Sequence, residues 1–312
     1  MAAVRTPRYI FFPARAAGML RIRKTPDPID SYLDRTGYVP SFIDEARQDL
    51  HVPLPTLLAV AKSSAQTFQW KGKTTYVLDY THFSTIQSKT RKLPILSAVN
   101  IDGKALQKKT TSHKTWRPDP RIPTSIQLVD GVYGTQKNGF FSRGHMTRRL
   151  DPGWGPPALA NRADEDTYHA TNAAPQVQSF NDGVWGEIED YILENTRSTR
   201  RICVFTGPVL RNGDPLIHGV KVPLQFWKVV AFLHPATSEL AATGYVSSQA
   251  TEVAGLLVST VFGDVENTQR PIAAIEKLAG IRFAKLKAAD VLRGASPSFA
   301  TRLRDVRDIM LE

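Results

Sequence analysis

Cysteine is almost missing from this chain of 312 residues, in which Cys203 stands alone. One thiol excludes an intrachain disulfide and a cysteine-based zinc cage, so any metal must be held through oxygen and nitrogen. Cys203 sits in Arg201-Ile202-Cys203-Val204-Phe205, which reads as a buried strand, and its sulfur is expected to be packed rather than reactive. Long apolar runs are missing too. No stretch reaches the roughly eighteen apolar residues that a membrane-spanning helix requires, and the early ones are interrupted by Pro13, Arg15 and Arg21. Acidic residues are scarce, 29 against 40 lysines and arginines, which leaves a formal charge of +11. Such a balance suits a polyanionic partner, and equally a basic solvated surface that binds none. Before Asp27 there are no acids at all beside Arg5, Arg8, Arg15, Arg21, Arg23 and Lys24. A mitochondrial transit peptide or a nucleic-acid-binding arm shares that composition, but the preferred reading is a flexible start without a secretory signal. The compartment is left open between the cytoplasm and export by a route without a cleaved signal.

What is present is an ordinary globular composition. The apolar fraction is 42%, enough for a real core, and the length suits one or two domains. Three segments are expected: a basic, flexible stretch over residues 1–28, a helical lead-in and connector over 29–55, and a main domain over 56–312. Within the lead-in, apolar residues recur at helical spacing on either side of Gly37-Tyr38-Val39-Pro40, which predicts two short helices. Val52-Pro53-Leu54-Pro55 follows as a rigid connector. Alternation over Thr75–Ser84 predicts a strand with Tyr76, Leu78 and Tyr80 on one face, and a second strand over Leu93–Ile101 makes an antiparallel meander with it. Val204–Leu210 and Val222–Leu233 read as further strands. Ile272, Ile275, Leu278 and Ile281 recur at three-residue steps over Pro271–Phe283 and predict a covering helix. The expected class is α+β, an antiparallel sheet core flanked by helices.

One group of motifs organises the rest. Phe141-Ser142-Arg143-Gly144-His145 is followed by Asn172-Ala173-Ala174-Pro175-Gln176, then by Asn181-Asp182-Gly183-Val184-Trp185 and Glu189. Arg-Gly-His alone would be weak, since short strings of common residues recur by chance and a lone histidine is usually structural. Together with Val204-Phe205-Thr206-Gly207-Pro208 and Val222-Pro223-Leu224-Gln225-Phe226-Trp227-Lys228-Val229, the set resembles the DNA/RNA non-specific endonuclease family of ββα-metal enzymes over about residues 75–285. That family's motif is written Asp-Arg-Gly-His, and Ser142 stands where its Asp usually does. Arg148-Arg149-Leu150-Asp151-Pro152-Gly153-Trp154-Gly155 is similar to the bacterial branch.

The resemblance implies a ββα-metal motif and a metal-dependent endonuclease that hydrolyses DNA, RNA or both without sequence preference. Phosphodiester hydrolysis needs a base for water, a cation for the charge gained at phosphorus, and help for the departing oxygen. His145 would be the base, a neutral imidazole near its ordinary pKa, with Gly144 letting the backbone approach a phosphate. Asn181 is the implied ligand of Mg²⁺, with Mn²⁺ the alternative ion, stabilising the phosphorane and the leaving 3′ oxygen. Ser179-x-x-Asp182 resembles a capping box that would start a helix near Phe180, and Glu189 then lies roughly 80° from Asn181 around it, supporting the metal's water shell. Trp185 is read as core. Arg143 is expected to point to the other side of an extended strand from His145 and so to touch a phosphate or nearby backbone. Asn172 and Gln176 are read as fixing the site or touching substrate, and Arg148 as binding the substrate backbone. Thr111-Ser112-His113-Lys114-Thr115-Trp116-Arg117-Pro118-Asp119-Pro120 is similar to the family's phosphate-binding segment, with Lys114 at its Arg position and Arg117 as a substitute clamp. Partners are DNA or RNA and an inhibitor or immunity protein, with no membrane; the oligomeric state stays open, a homodimer included. The rival reading is a catalytically inactive nucleic-acid-binding protein on the same fold.

Overall fold

The computed structural model describes residues 21–107, 110, 114–134, 140–182, 186, 188–189, 192, 200–257, 267–303 and 308–310. The strands of its large sheet and of the ribbon that bears the site are, in chain order, β1 (Val77–Asp79), β2 (Phe83–Gln87), β3 (Pro94–Asp102), β4 (Ser142–His145), β5 (Ala173–Gln176), β6 (Arg201–Pro208), β7 (Gln225–Leu233), β8 (Leu240–Ser248), β9 (Thr268–Gln269) and β10 (Thr301–Arg302). The helices that bear on the site are α1 (Pro157–Asp166), α2 (Gln178–Asp182), α3 (Ala250–Leu257) and α4 (Ile272–Ala279). Eight strands form one sheet in the order β10-β9-β8-β7-β6-β3-β2-β1, and every neighbouring pair is antiparallel. The α+β class with an antiparallel core is what the alternation required. Among the described residues no helix is long and apolar enough to cross a membrane.

The central strands are buried on both faces, which is why they read as apolar runs rather than as clean alternation. Phe205, Val229, Ala231 and Cys203 join one apolar cluster with α4, while Val204, Val230, Val99 and Phe83 join another on the opposite face. Cys203 is fully buried, and burial pushes its thiol up to about 12, the behaviour of a packed sulfur.

Several expected elements differ in detail. The strand expected over Thr75–Ser84 is broken: Tyr80 accepts the turn, its N–H bonding the Phe83 carbonyl at 2.8 Å, and His82 takes φ +68°. β1 and β2 are therefore a hairpin. The lead-in holds two short 3-10 helices, Ile29–Tyr32 and Gln48–Leu50, where two short helices were expected. Their apolar residues are too few to cover more than one turn, and Tyr32 and Leu50 are simply inserted into the clusters. The C-terminal helix stops at Ala279 because Gly280 adopts a left-handed φ of +66° and caps it, so Ile281 leaves the helix and pairs in a strand with Leu57. Residues 1–20 lie outside the described set. From Arg21 the chain is already engaged: Arg21–Ile22 pairs in parallel with Thr115–Trp116, and Asp27 bonds Arg117.

Candidate active site

β4 and β5 form a two-stranded antiparallel ribbon apart from the large sheet, with Ala173 opposite His145, Ala174 opposite Gly144 and Gln176 opposite Ser142. α2 begins two residues after β5 ends, so strand, strand and helix run in the ββα order. Residues 186, 188–189 and 192 are helical as well. The helix begins at Gln178 rather than near Phe180, which places Ser179 inside the first turn and leaves it no role as an N-cap. Asn181 stays in that turn, although its side chain, and all of Trp185, lie outside the described residues. Ser142 supplies a link of its own, since its hydroxyl donates to Gln178 Oε1 at 2.5 Å and ties β4 to the start of α2.

Gly144 is required by the ribbon itself. A Cβ there would lie 1.9 Å from Gln176 Oε1 and 2.1 Å from its Cδ, so the glycine makes room for the opposite side chain rather than for a phosphate. Gln176 is fully buried, and among the described residues neither its amide nitrogen nor its amide oxygen has a hydrogen-bond partner. Two residues behind His145 on the same strand, Arg143 lies on the same side of an ideal pleat, because alternation has period two. The expectation that it points to the other side is therefore corrected. Its guanidinium donates to the Val129 carbonyl at 2.8 Å and sits 4.5 Å from the centre of the Tyr133 ring.

His145 lies between two aromatic walls. The Trp116 ring is 4.7 Å away and tilted, and the Tyr168 ring is 5.1 Å away, edge to face at 87°. Its Nε2 is buried and meets no hydrogen-bond partner among the described residues. Burial carries the imidazole down to about 4, with Asp164 pulling it up and Arg149 pushing it down. The pKa is thus well below its ordinary value, contrary to expectation, and the ring is firmly neutral at physiological pH. Arg149 and Asp164 are themselves paired, at 2.9 and 3.1 Å from the guanidinium Nε to the two carboxylate oxygens.

Asn172 belongs to the support. It is fully buried; its amide donates to the carbonyls of Thr147 and Thr167 at 2.9 and 3.0 Å, and its oxygen accepts from Thr147 N at 2.8 Å. Both donor hydrogens are spent, so it locks the turn after His145 and has no donor left for substrate. Arg117 is likewise engaged, through Asp27 at 2.6 Å, the Glu165 carbonyl at 3.0 Å and Asp166 at 3.9 Å, and it is buried. It cannot serve as the substitute clamp without breaking these pairs. Lys114 is exposed, one residue before the strand that brings Trp116 to His145. Arg148 lies with its Nε 3.8 Å from Glu189 Oε2.

Beneath the ribbon runs a feature that the motifs did not reveal. Strand register aligns Thr85, Ser97, Thr206, Lys228, Tyr245 and Gln269 in one row across six strands, all of them buried. Thr147, just past His145, meets this row through a 2.6 Å contact between its hydroxyl and that of Ser97. Glu189 meets it through Lys228 Nζ at 3.2 Å, and that ammonium also donates to Thr206 Oγ1 at 2.9 Å. Asp151 is buried close to Arg148, Lys228 and Glu189; burial raises its carboxyl to about 7 against the pull of the two cations. The signal available in the sequence was Lys228 itself, a lone charge inside the strand Gln225-Phe226-Trp227-Lys228-Val229-Val230-Ala231-Phe232-Leu233.

Comparison with known proteins follows the same outline. The profile of the DNA/RNA non-specific endonuclease family matches residues 62–290. An uncharacterized protein, y4fB, of Sinorhizobium fredii is 34% identical over 299 residues, which is 90% of this chain and 44% of that protein. The mitochondrial endonuclease G of Homo sapiens is 28% identical over 155 residues, covering 46% of this chain and 48% of the human one. The chain thus spans about half, or less, of the length of these relatives. A crystal structure of the EndoG/EndoGI complex, concerned with the mechanism of EndoG inhibition, superimposes with a TM-score of 0.51 at 19% identity, covering 67% of this chain and 85% of that one, and so shares the fold. With its profile matched from 62 to 290 and the ββα order of β4, β5 and α2 in place, the chain belongs to the DNA/RNA non-specific endonuclease family.

Proposed function

We propose that the protein is a metal-dependent, sequence-non-specific endonuclease that hydrolyses phosphodiester bonds of DNA, RNA or both. The observation that carries this is His145: a neutral imidazole with a nitrogen unpartnered among the described residues, walled by Trp116 and Tyr168 at the end of the ββα ribbon. Amide and carboxylate oxygens such as those of Asn181 and Glu189 are the donors that a hard divalent ion prefers; among the described residues no group of three or more His, Cys, Asp or Glu stands together to hold one. Asn181 would hold the ion, with Glu189 ordering its water. When bound, Mg²⁺ or Mn²⁺ supplies positive charge to the phosphorane and the leaving 3′ oxygen.

The protein's own groups do the rest. His145 would accept the proton of the attacking water: its aromatic walls fix the ring plane, and burial keeps the ring unprotonated while making it a weaker base than a solvated imidazole. Asn172 and the Thr147–Ser97 contact hold the residues after it against the sheet. Lys114, which is exposed, would meet phosphate, while Arg143 and Gln176 shape the ribbon. Backbone contacts of this kind carry no sequence information, which suits a non-specific enzyme. Such an activity needs restraint in the cell that makes it, so an inhibitor or immunity protein is the expected protein partner.

Incubation of the purified protein with plasmid DNA and total RNA, with Mg²⁺ or with EDTA, tests the proposal against His145→Ala. Degradation that requires Mg²⁺ and disappears in the variant is the expected result. Nucleic acid that shifts on a gel yet survives both Mg²⁺ and Mn²⁺ would instead establish the inactive binding protein.

A further inference from the structure

Lys228 is unusual in its setting. Its side chain is 1% exposed, in the middle of the strand β7, whose neighbours on the same face, Phe226 and Val230, are apolar and buried. Taking an ammonium out of water costs several kcal/mol unless it is paired and hydrogen-bonded. Here it meets Thr206 Oγ1 at 2.9 Å from the adjoining strand and Glu189 Oε1 at 3.2 Å from the helical segment above. The other Glu189 oxygen faces Arg148 at 3.8 Å, and the carboxylate is only 11% exposed. Glu189 is thus gripped from both sides, one cation rising from the sheet and one reaching from the turn after His145. A helix carries its side chains on flexible stems, whereas a sheet row fixed by register does not move with the helix. Ile188 and Ile192 pack the same helical segment onto the face that holds Val204 and Val230. The ion pair therefore adds direction to an attachment that apolar packing already makes.

We propose that Lys228 is a positioning residue, which fixes the Glu189 carboxylate from the floor of the sheet and through it orders the water around the divalent ion. The inference rests on the endonuclease reading and adds a residue to it. Outer-shell partners of this sort typically contribute about 10- to 100-fold to metal affinity.

The test compares the wild type with Lys228→Met, Glu189→Gln and the double variant, measuring Mn²⁺ binding by electron paramagnetic resonance, kcat and KM on DNA, and the melting temperature. Lys228→Met is expected to weaken Mn²⁺ binding by about 10-fold or more and to lower kcat with little change in KM. In the Glu189→Gln background the same substitution should change Mn²⁺ affinity by less than about 2-fold, because the carboxylate through which it acts is gone. Should Lys228→Met fail to fold, Thr206→Val removes a second partner of the ammonium, and a loss of Mn²⁺ affinity at an unchanged melting temperature supports the same role. The proposal is overturned if the variants melt lower while Mn²⁺ affinity and kcat stay at the wild-type level, or if Lys228→Met weakens binding equally in both backgrounds. A wild type that neither binds Mn²⁺ nor cuts would overturn the endonuclease reading itself, a separate outcome.

Discussion

His145 and Gly144 show how far a single position can depend on its neighbour across the ribbon. Burial holds His145 at about 4, below the value of about 6.5 expected for an exposed or unfolded imidazole. A base that low stays unprotonated through the acid range, so the acid limb of kcat/KM that belongs to His145 should fall between about pH 4 and 5. A profile from pH 4 to 8 with half-maximal activity near 6.5 would show the ring to be solvated instead. Linkage gives the matching stability effect: the unfolded state takes up the proton first, so stability present above about pH 6.5 is lost as the pH falls through 4. Gly144 carries a steric prediction. Gly144→Ala would press its methyl against the buried Gln176 amide at 1.9 Å and should cost about 1–3 kcal/mol as over-packing does. Gln176→Ala vacates that volume, so the double variant should melt closer to wild type than Gly144→Ala does. Additive losses in denaturant titrations would rule out the clash as the cause.

At the scale of elements, the ribbon is held to the sheet by polar contacts rather than by apolar burial alone. The turn that follows β4 is fastened by Asn172, three hydrogen bonds at 2.8 to 3.0 Å, and by Thr147 against Ser97. Asn172→Ala strands the Thr147 amide and two carbonyls in a buried setting, at about 1 kcal/mol or more for each. Stability should fall by about 3 kcal/mol. Because the segment sets the position of His145 without touching substrate, kcat should drop by at least about 10-fold while KM holds. A variant whose KM rises at constant kcat would restore Asn172 to substrate binding. The motifs could not distinguish these roles, since an asparagine written into a pattern looks the same whether its amide meets phosphate or backbone. Arg117 illustrates the same limit of spacing: it sits where a clamp could be, but Asp27, some 90 residues earlier in the chain, has already taken it.

Across the whole molecule, local pattern and long-range register contributed unequal shares. The strands β3, β6 and β7 were legible because runs such as Gln225–Leu233 are apolar beyond what any loop allows, and the ββα order followed from the motifs around His145 and Asn181. The order of eight strands was not legible, nor was the buried row from Thr85 to Gln269, since register is settled by pairing between residues far apart in the chain. Net charge, by contrast, is a property of the whole chain and needs no fold to be read. At +11, affinity for nucleic acid should be carried by phosphates and counterion release. With His145→Ala as a non-cutting probe, a labelled duplex and a labelled single strand of unrelated sequence should bind alike within about 10-fold. A protein that neutralises about five phosphates should show log Kobs falling with log salt at a slope of about −4 to −5 on the duplex, a loss of several hundred-fold between 50 and 200 mM. Lys114→Ala should flatten that slope by about one unit on every sequence alike. A slope near zero, or a loss confined to one sequence, would mean that recognition runs through the bases and that the charge of the chain is only a solvated surface.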